Sequence, residues 1–217
     1  MKGGAPPLRH DAAMDEHETF GPDYWDERYC QQPALWSGQP NPHLVTEAEQ
    51  LAPGRALDAG CGEGADAIWL AAHGWHVTAV DISAVALERA RRVEGSEPVE
   101  WIRADLAAWE APGPRWDLVN AQYLHLPPAL RPPVWDQLAA AVRPGGSLLV
   151  VAHDPAELAH EGHGPDPDRF FTAEELITHL GPGWAVATNR RVPRPPDDHH
   201  VADLVVRLVR MAVTPSA

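Results

Sequence analysis

The chain has 217 residues with 31 acidic side chains against 17 Lys and Arg, which gives a formal net charge of −14 at pH 7. This charge repels nucleic acid and anionic membrane surfaces, so we expect neither as a partner. A chain of this length can bury the core of one domain, and its two cysteines are too few for the disulfide framework of a secreted protein.

The N-terminal residues show no sign of a targeting segment. Residues 1–22 contain no apolar stretch that could form the core of a signal peptide, so we predict a flexible N-terminus there and a single domain over residues 23–213. No run approaches the roughly 20 apolar residues of a membrane-spanning helix. These features predict a cytoplasmic protein.

Apolar periodicity and Gly or Pro punctuation predict an alternation of strands and helices. In chain order the predicted elements are a helix at 42–51, a strand at 55–59, a helix at 65–72, a strand at 76–80, a helix at 83–94, strands at 99–103 and 116–121, a helix at 133–142, a strand at 147–152, a helix at 172–180, and strands at 184–192 and 202–211. The capping-box pair Thr172 and Glu175 begins the last helix. Alternating strands and helices indicate an α/β fold with a parallel sheet covered on both faces, and the last two strands, with no helix between them, predict an antiparallel pair.

A glycine-rich turn joins the first strand to the helix that follows it, with the sequence LDAGCGEGA at residues 57–65. Glycines let the backbone approach a ligand closely, and the helix start offers free amides. The turn alone leaves the cofactor open, because residues 60–65 also fit the G-x-G-x-x-A fingerprint of a dinucleotide site. Asp81, 21 residues beyond Gly60, would then suit the ribose hydroxyls of NAD.

Three acidic residues favour a cationic cofactor over a dinucleotide. Asp58 lies two residues before the first glycine, where its charge repels a pyrophosphate but suits an ammonium and a sulfonium. Asp58, Asp81 and Asp105 are 23 and 24 residues apart, so each arrives at the carboxyl end of a strand, the edge where an open α/β sheet binds ligands. Asp105, between Ala104 and Leu106, offers an acceptor for an adenine amino group between apolar neighbours.

Five segments resemble the successive motifs of class I S-adenosylmethionine-dependent methyltransferases. They are LDAGCGEG, VTAVDIS, WIRADL, WDLVNAQYLHL and VRPGGSLLVV, and they cover about residues 55–152 in the family's order. The stretch GADAIWLAAHGWHVTAVD also resembles the tellurite-resistance and thiopurine methyltransferases, which implies a small-molecule substrate. The resemblance implies a Rossmann-like, doubly wound sheet of seven strands, mostly parallel with an antiparallel last strand. It also implies S-adenosyl-L-methionine as cofactor and S-adenosyl-L-homocysteine as product.

The family pattern implies a role for residues at several strand ends. Asp58 and the turn from Gly60 to Gly64 would border the methionine part, Asp81 would hold both ribose hydroxyls, and Asp105 would meet the adenine N6. Backbone around residues 120–122 would accept from the cofactor ammonium. The cofactor contacts predicted within the motifs are Asp58, Ala59, Gly60, Gly62, Asp81, Ile82, Ala104, Asp105, Leu106 and Gln122.

The N-terminal segment 23–52 looks like the lid that such small enzymes fold over the cofactor, on the strength of YWDERY at 24–29 and LWSG at 35–38. We expect Arg28 to bind the methionine carboxylate, which a guanidinium does well, and Trp36 to exclude water. The alternative is that these aromatic residues only pack an N-terminal helix on the sheet.

Candidates for a general base lie after the fourth and fifth strands. Methyl transfer needs a base only when the nucleophile arrives protonated. Histidine titrates near working pH, so His125 is the first candidate and His153 the second, with Tyr123 and Asp154 beside them. The plainer alternative for each of the 12 histidines is solvent exposure or a structural hydrogen bond.

Residues 153–171 form the predicted substrate-side loop, and residues 172–213 a C-terminal helix and strand pair. Loop histidines and acids such as His160, Glu161 and His163, with His199 and His200, are spaced irregularly, so we expect no metal site. The sequence predicts an enzyme that moves a methyl group to an O, N, S or chalcogen atom of a small molecule by in-line displacement. Two alternatives stay open: an NAD(P)-dependent Rossmann oxidoreductase, and a non-catalytic cofactor-binding regulatory or assembly subunit.

Overall fold

The computed structural model describes residues 20–155, 169–195 and 201–212. Its helices are α1 (Pro22–Cys30), α2 (Pro42–Ala48), α3 (Ala65–Ala72), α4 (Ala84–Ala90), α5 (Arg131–Ala141) and α6 (Ala173–Leu180). Its strands are β1 (Arg55–Ala59), β2 (His76–Asp81), β3 (Glu100–Arg103), β4 (Trp116–Gln122), β5 (Val142–His153), β6 (Trp184–Pro193) and β7 (Ala202–Arg210).

The strands of these described residues form one seven-stranded sheet in the order β3-β2-β1-β4-β5-β7-β6. Neighbours from β3 to β5 are parallel, whereas β7 runs antiparallel to both β5 and β6. The predicted α/β, Rossmann-like, mostly parallel sheet with its antiparallel end is therefore confirmed. The chain reverses its direction of winding between β1 and β4, which is the point where open α/β sheets bind ligands.

Both faces of the sheet are covered because strand residues alternate between two cores. On β5, Leu148 and Val150 belong to the core under α5 and α6, while Leu149 and Val151 belong to the core under α2 and α3. The predicted capping box of α6 is present, with the Thr172 hydroxyl accepting from the amide of Glu175. This two-sided burial is why the strands read as continuous apolar runs.

The start of β5 differs from the sequence-based prediction. The Pro-Gly-Gly at residues 144–146, predicted to close a helix, lies inside a strand that begins at Val142 rather than at Ser147. Val142 pairs with Trp116, and the register then shifts before Leu118. A Cβ at Gly146 would lie 2.8 Å from the Trp116 carbonyl oxygen, so this close approach needs a glycine.

No helix in the described part of the chain is both long enough and apolar enough to cross a membrane.

Candidate functional site

The glycine turn (residues 60–64) lies at the carboxyl end of β1 and is fixed to the neighbouring strand β2. The amides of Gly60 and Cys61 both donate to the carbonyl oxygen of Val80, at 2.8 and 3.0 Å. Gly64 has a φ of 84°, and a Cβ there would lie 2.4 Å from the ring of Trp101. The turn therefore needs glycine both for its backbone conformation and for its packing.

Asp81, the last residue of β2, closes the turn from the other side. Its two carboxylate oxygens accept from the amides of Gly62 and Ser83, each at 2.8 Å. Burial raises the pKa of the Asp81 carboxyl, although these two amides act in the opposite direction. A carboxylate has about four acceptor positions, so it can hold two hydroxyls in addition to two amides. This geometry fits the predicted contact with the ribose.

Asp58, at the end of β1, and Asp66, in the first turn of α3, share one donor. The side-chain amide of Asn120 lies 2.8 Å from Asp58 Oδ1 and 3.4 Å from Asp66 Oδ2. Burial and then the charge of Asp66 raise the pKa of Asp58, against the hydrogen bond from Asn120. Within the described residues, the buried oxygens Asp58 Oδ2 and Gln122 Oε1 have no hydrogen-bond partner. These acceptors fit an ammonium or sulfonium group and repel a pyrophosphate.

Asp105 follows β3 at the same edge of the sheet. Its Oδ1 accepts from the amide of Ala107 at 2.9 Å, and the amide of Ala104 donates to the carbonyl oxygen of Asp81 at 3.0 Å. Leu106 is buried. The three residues predicted to receive the adenine therefore lie next to the residue predicted to hold the ribose. The remaining predicted contacts at this edge are Ala59, which ends β1, and Ile82, which follows β2.

The N-terminal segment lies directly on the glycine turn. Glu63 Oε2 accepts from the amides of Leu35 and Trp36, each at 3.0 Å, and the Trp36 indole donates to the Tyr29 hydroxyl at 3.0 Å. A Cβ on Gly62 would lie 2.8 Å from the Tyr29 hydroxyl. Tyr29 is buried whereas Trp36 is 52% exposed, so Tyr29 is the ring that covers the turn most completely.

Arg89 of α4 connects the N-terminal segment to the glycine turn. Its guanidinium pairs with Glu63 Oε1 at 2.8 Å and donates to the carbonyl oxygens of Tyr29 and Gln32, at 2.6 and 2.7 Å. The sequence-based interpretation did not include Glu63 or Arg89. Glu63 lies inside the glycine turn, but only the folded structure shows that its carboxylate contacts the N-terminal segment.

The predicted carboxylate ligand Arg28 makes its contacts within α1. Its guanidinium donates to the Tyr24 hydroxyl at 3.3 Å and lies 5.8 Å from the centre of the Trp25 ring. The helix itself is attached through Asp26, which accepts from the Ser83 hydroxyl at 2.6 Å. A bond from Arg28 to the methionine carboxylate stays a prediction.

The predicted catalytic residues come together after β4 and β5. Tyr123, His125, His153 and Phe170 form an aromatic cluster, with 4.6 Å between the ring centres of Tyr123 and His153 and 5.0 Å between those of His125 and His153. Tyr123 has a φ of 51°, the one positive value for a residue other than glycine in the described part of the chain. Such conformations are concentrated at functional sites. The fourth candidate, Asp154, forms an ion pair with Arg191.

A buried carboxylate that the sequence-based interpretation missed lies behind this cluster. Asp203 accepts from His153 Nδ1 at 3.2 Å, from His43 Nε2 at 3.1 Å and from the Tyr123 hydroxyl at 3.0 Å. Arg194 donates to both of its oxygens, at 3.0 and 3.1 Å. Burial raises the pKa of Asp203, but the hydrogen bonds from His153, His43 and Arg194 outweigh it and hold that pKa below its usual range.

Comparison with known proteins finds methyltransferases among those similar to this chain. The sequence profile of a family described as "Methyltransferase domain" matches residues 56–146. Thiocyanate methyltransferase 1 of Arabidopsis thaliana is 27% identical over 189 residues, which are 82% of this chain and 82% of the relative. Probable thiol methyltransferase 2 of the same plant is 32% identical over 149 residues, 64% of this chain and 63% of the relative. Together with the motifs and the fold, these similarities support a class I S-adenosylmethionine-dependent methyltransferase.

Solved structures show the same fold. The 1,6-didemethyltoxoflavin-N1-methyltransferase of Burkholderia thailandensis, with bound 1,6-didemethyltoxoflavin and S-adenosylhomocysteine, superposes with a TM-score of 0.70 at 23% identity, over 96% of this chain and 95% of that chain. The comparisons support S-adenosylmethionine as the cofactor and do not favour the oxidoreductase and assembly-subunit alternatives.

Parts of the predicted site of this methyltransferase lie outside the described residues. They include residues 156–168 of the substrate-side loop, with His160, Glu161 and His163, and the pair His199 and His200. Among residues 20–155, 169–195 and 201–212, no group of three or more His, Cys, Asp or Glu is arranged to hold a metal ion.

Proposed function

We propose that this methyltransferase methylates an O, N, S or chalcogen atom of a small molecule that binds against the aromatic cluster. The observation that carries the proposal is the order of sites along one sheet edge. Carboxylates suited to the cofactor lie at the carboxyl ends of β1, β2 and β3, and the aromatic cluster lies at those of β4 and β5. The two groups meet where β1 and β4 are neighbours, since Asp58 pairs in register with Asn120.

We expect the residues at this sheet edge to contact different parts of the cofactor. Asp81 would hold the ribose and Asp105 the adenine amino group, while Asp58, Asp66 and Gln122 would surround the ammonium. The bound cofactor supplies a methyl group attached to a positively charged sulfur. By holding the acceptor in line with that group and removing water, the protein contributes roughly 7–11 kcal/mol through positioning.

The aromatic cluster favours a planar or polarisable acceptor over a polyanion. Its rings present apolar faces with nitrogen and oxygen atoms at their edges, and the net charge of −14 repels phosphorylated molecules. The relatives named for thiocyanate, for a thiol and for didemethyltoxoflavin support a small acceptor. A cytoplasmic location and the lack of a nucleic-acid or membrane partner stay predictions from composition.

Two measurements test the proposal. Titration calorimetry should show binding of S-adenosylmethionine and S-adenosylhomocysteine but not of NAD, because Asp58 and Asp66 oppose a pyrophosphate. Mass spectrometry should then show one added methyl group on a member of an acceptor panel that contains thiocyanate, benzenethiol and 4-hydroxyquinoline. Turnover of none of these small acceptors, with methylation of a co-purified macromolecule instead, would contradict the substrate class.

A further inference from the structure

We propose that Asp203 is a positioning residue that fixes the ring of His153 as the general base for acceptors that arrive protonated. This inference rests on the proposed function. It adds Asp203 to the residues on the acceptor side of the site. It also makes His153, rather than His125, the first candidate for the general base.

The topology places Asp203 beside His153. His153 ends β5, and because β7 is antiparallel to β5, residues at the start of β7 lie at the same sheet edge. Asp203 is the register partner of His153, and His153 Nδ1 lies 3.2 Å from Asp203 Oδ1.

The charge of Asp203 decides where the proton of His153 lies. The donors on Asp203, which include the guanidinium of Arg194, hold the buried carboxyl in its ionised form. An ionised carboxylate only accepts hydrogen bonds, so Nδ1 of His153 carries a proton. In the neutral ring the lone pair is then on Nε2, which is the nitrogen that would act as the base.

The two other candidates are placed differently. His125 Nε2 accepts from the backbone amide of His153 at 3.3 Å, which engages its lone pair. The Tyr123 hydroxyl donates to Asp203 Oδ2 at 3.0 Å and so belongs to the supporting network. His125 and Tyr123 pack against the ring of His153 and limit its rotation.

The proton on the acceptor atom moves to Nε2 of His153 as that atom bonds to the methyl carbon. The electron pair of the broken carbon–sulfur bond stays on sulfur, which becomes neutral, and the positive charge passes to the imidazole. Asp203 stabilises this imidazolium, which later loses its proton to solvent.

The test compares two acceptors in the full-length Asp203→Asn variant. Thiocyanate carries no proton at neutral pH and needs no base, whereas 4-hydroxyquinoline arrives protonated. We expect kcat for 4-hydroxyquinoline to fall about 100-fold, within the range for general base catalysis, with its KM and the affinity for S-adenosylhomocysteine changed less than about threefold. With thiocyanate kcat should stay within about threefold, because positioning alone then limits the rate.

Glu47→Gln is the matched control. Glu47 is another buried carboxylate that ties α2 to the last two strands, through Arg207 at 2.9 Å and Arg190 at 3.1 Å. Its loss should lower the melting temperature but leave the ratio of the two kcat values unchanged. An equal fall with both acceptors in Asp203→Asn would overturn the positioning role.

A spectroscopic measurement tests the effect of Asp203 on His153 without depending on which acceptor is methylated. Two-bond ¹H–¹⁵N spectra of the cofactor-bound protein, with His153 assigned through His153→Gln, should show the Nδ1–H tautomer in the unaltered chain and a mixture in Asp203→Asn. An Nε2–H tautomer in the unaltered chain would refute the inference whatever the turnover. If the tautomer is as expected but neither acceptor is methylated, the error lies in the acceptor class.

Discussion

Asn120 lies between Asp58 and Asp66 and offers its one side-chain amide nitrogen to both carboxylates, at 2.8 and 3.4 Å. Burial raises the pKa of Asp58 and of Asp66, and the hydrogen bonds from Asn120 and from the amide of Asn41 only partly oppose this. The pair therefore keeps a proton to higher pH than ordinary carboxyls do. A cation bound here would favour the ionised forms.

The first prediction is that cofactor binding releases protons. Because the raised pKa values fall when a cation binds, the affinity for S-adenosylmethionine should increase with pH from the ordinary carboxyl range near 4 upward. Calorimetry at several pH values from this range upward, in two buffers with different ionisation enthalpies at each, measures the protons released. Equal apparent enthalpies in the two buffers would contradict this linkage.

The second prediction is that Asp58→Asn stabilises the cofactor-free protein and weakens cofactor binding. A carboxyl whose pKa is raised by folding costs stability as the pH rises above its ordinary value, so the neutral isostere should raise the free energy of unfolding in alkaline solution by about 1 kcal/mol. The lost charge-assisted contact should weaken S-adenosylmethionine binding about 10- to 100-fold. Denaturant unfolding and calorimetry on the same sample check both; a variant that is destabilised and binds normally would show that Asp58 has a structural role only.

The third prediction separates the two roles of Asp81. Asp81→Ala removes the acceptor of two amides as well as the expected ribose contact, so we expect both a lower melting temperature and at least a 100-fold loss of S-adenosylhomocysteine affinity. The control is Asp117→Ala, at the opposite edge of the sheet, where Asp117 Oδ2 accepts from the amide of Arg55 at 2.7 Å. That variant should lose stability and keep its affinity. Near-normal binding by Asp81→Ala would remove Asp81 from the cofactor site.

The fourth prediction concerns the lid. Gly62→Ala puts a methyl group 2.8 Å from the Tyr29 hydroxyl and 3.3 Å from the Trp36 indole nitrogen, so the lid segment must move away. Gly38→Ala is a matched control, because Gly38 has a φ of 71° with nothing within 4 Å of its added Cβ. Both variants carry the cost of a left-handed alanine, about 1–2 kcal/mol. Only Gly62→Ala should speed amide exchange over residues 29–36 and weaken cofactor binding about tenfold.

The contrast between Asp81 and Asp203 shows what the sequence could predict. Asp58, Asp81 and Asp105 were predictable because each lies at the carboxyl end of a parallel strand, and one strand-helix unit returns the chain to the same edge. Asp203 comes near the start of its strand, and only the antiparallel register brings it beside His153. No local pattern indicates such a partner 50 residues away.

Long-range packing accounts for the other residues that the sequence did not reveal. Glu63 and Arg89 are 26 residues apart and meet only because α4 lies beside the glycine turn. An acid in the first turn of a helix, such as Asp66, is explained by its favourable interaction with the helix dipole. The sequence pattern therefore did not assign Asp66 to the cofactor site. The start of β5 was missed because Pro-Gly-Gly usually marks a turn, whereas here a glycine allows close approach to the neighbouring strand.

The last prediction tests whether the Tyr123 hydroxyl takes part in proton transfer. Burial, and then the charge of Asp203, raise the pKa of Tyr123 to about 12, so the phenol stays protonated at neutral pH and is a poor base. Tyr123→Phe keeps the ring against His153 but removes one donor to Asp203. We expect kcat for 4-hydroxyquinoline to fall less than about fivefold, with a stability loss of about 1 kcal/mol.

Tyr24→Phe, which removes a hydroxyl that accepts from Arg28 on exposed α1, controls for the loss of a tyrosine hydroxyl and should change neither quantity. A 100-fold fall in Tyr123→Phe with an unchanged His153 tautomer would assign the proton transfer to Tyr123, because the loss would then occur while the Asp203–His153 pair remained in place.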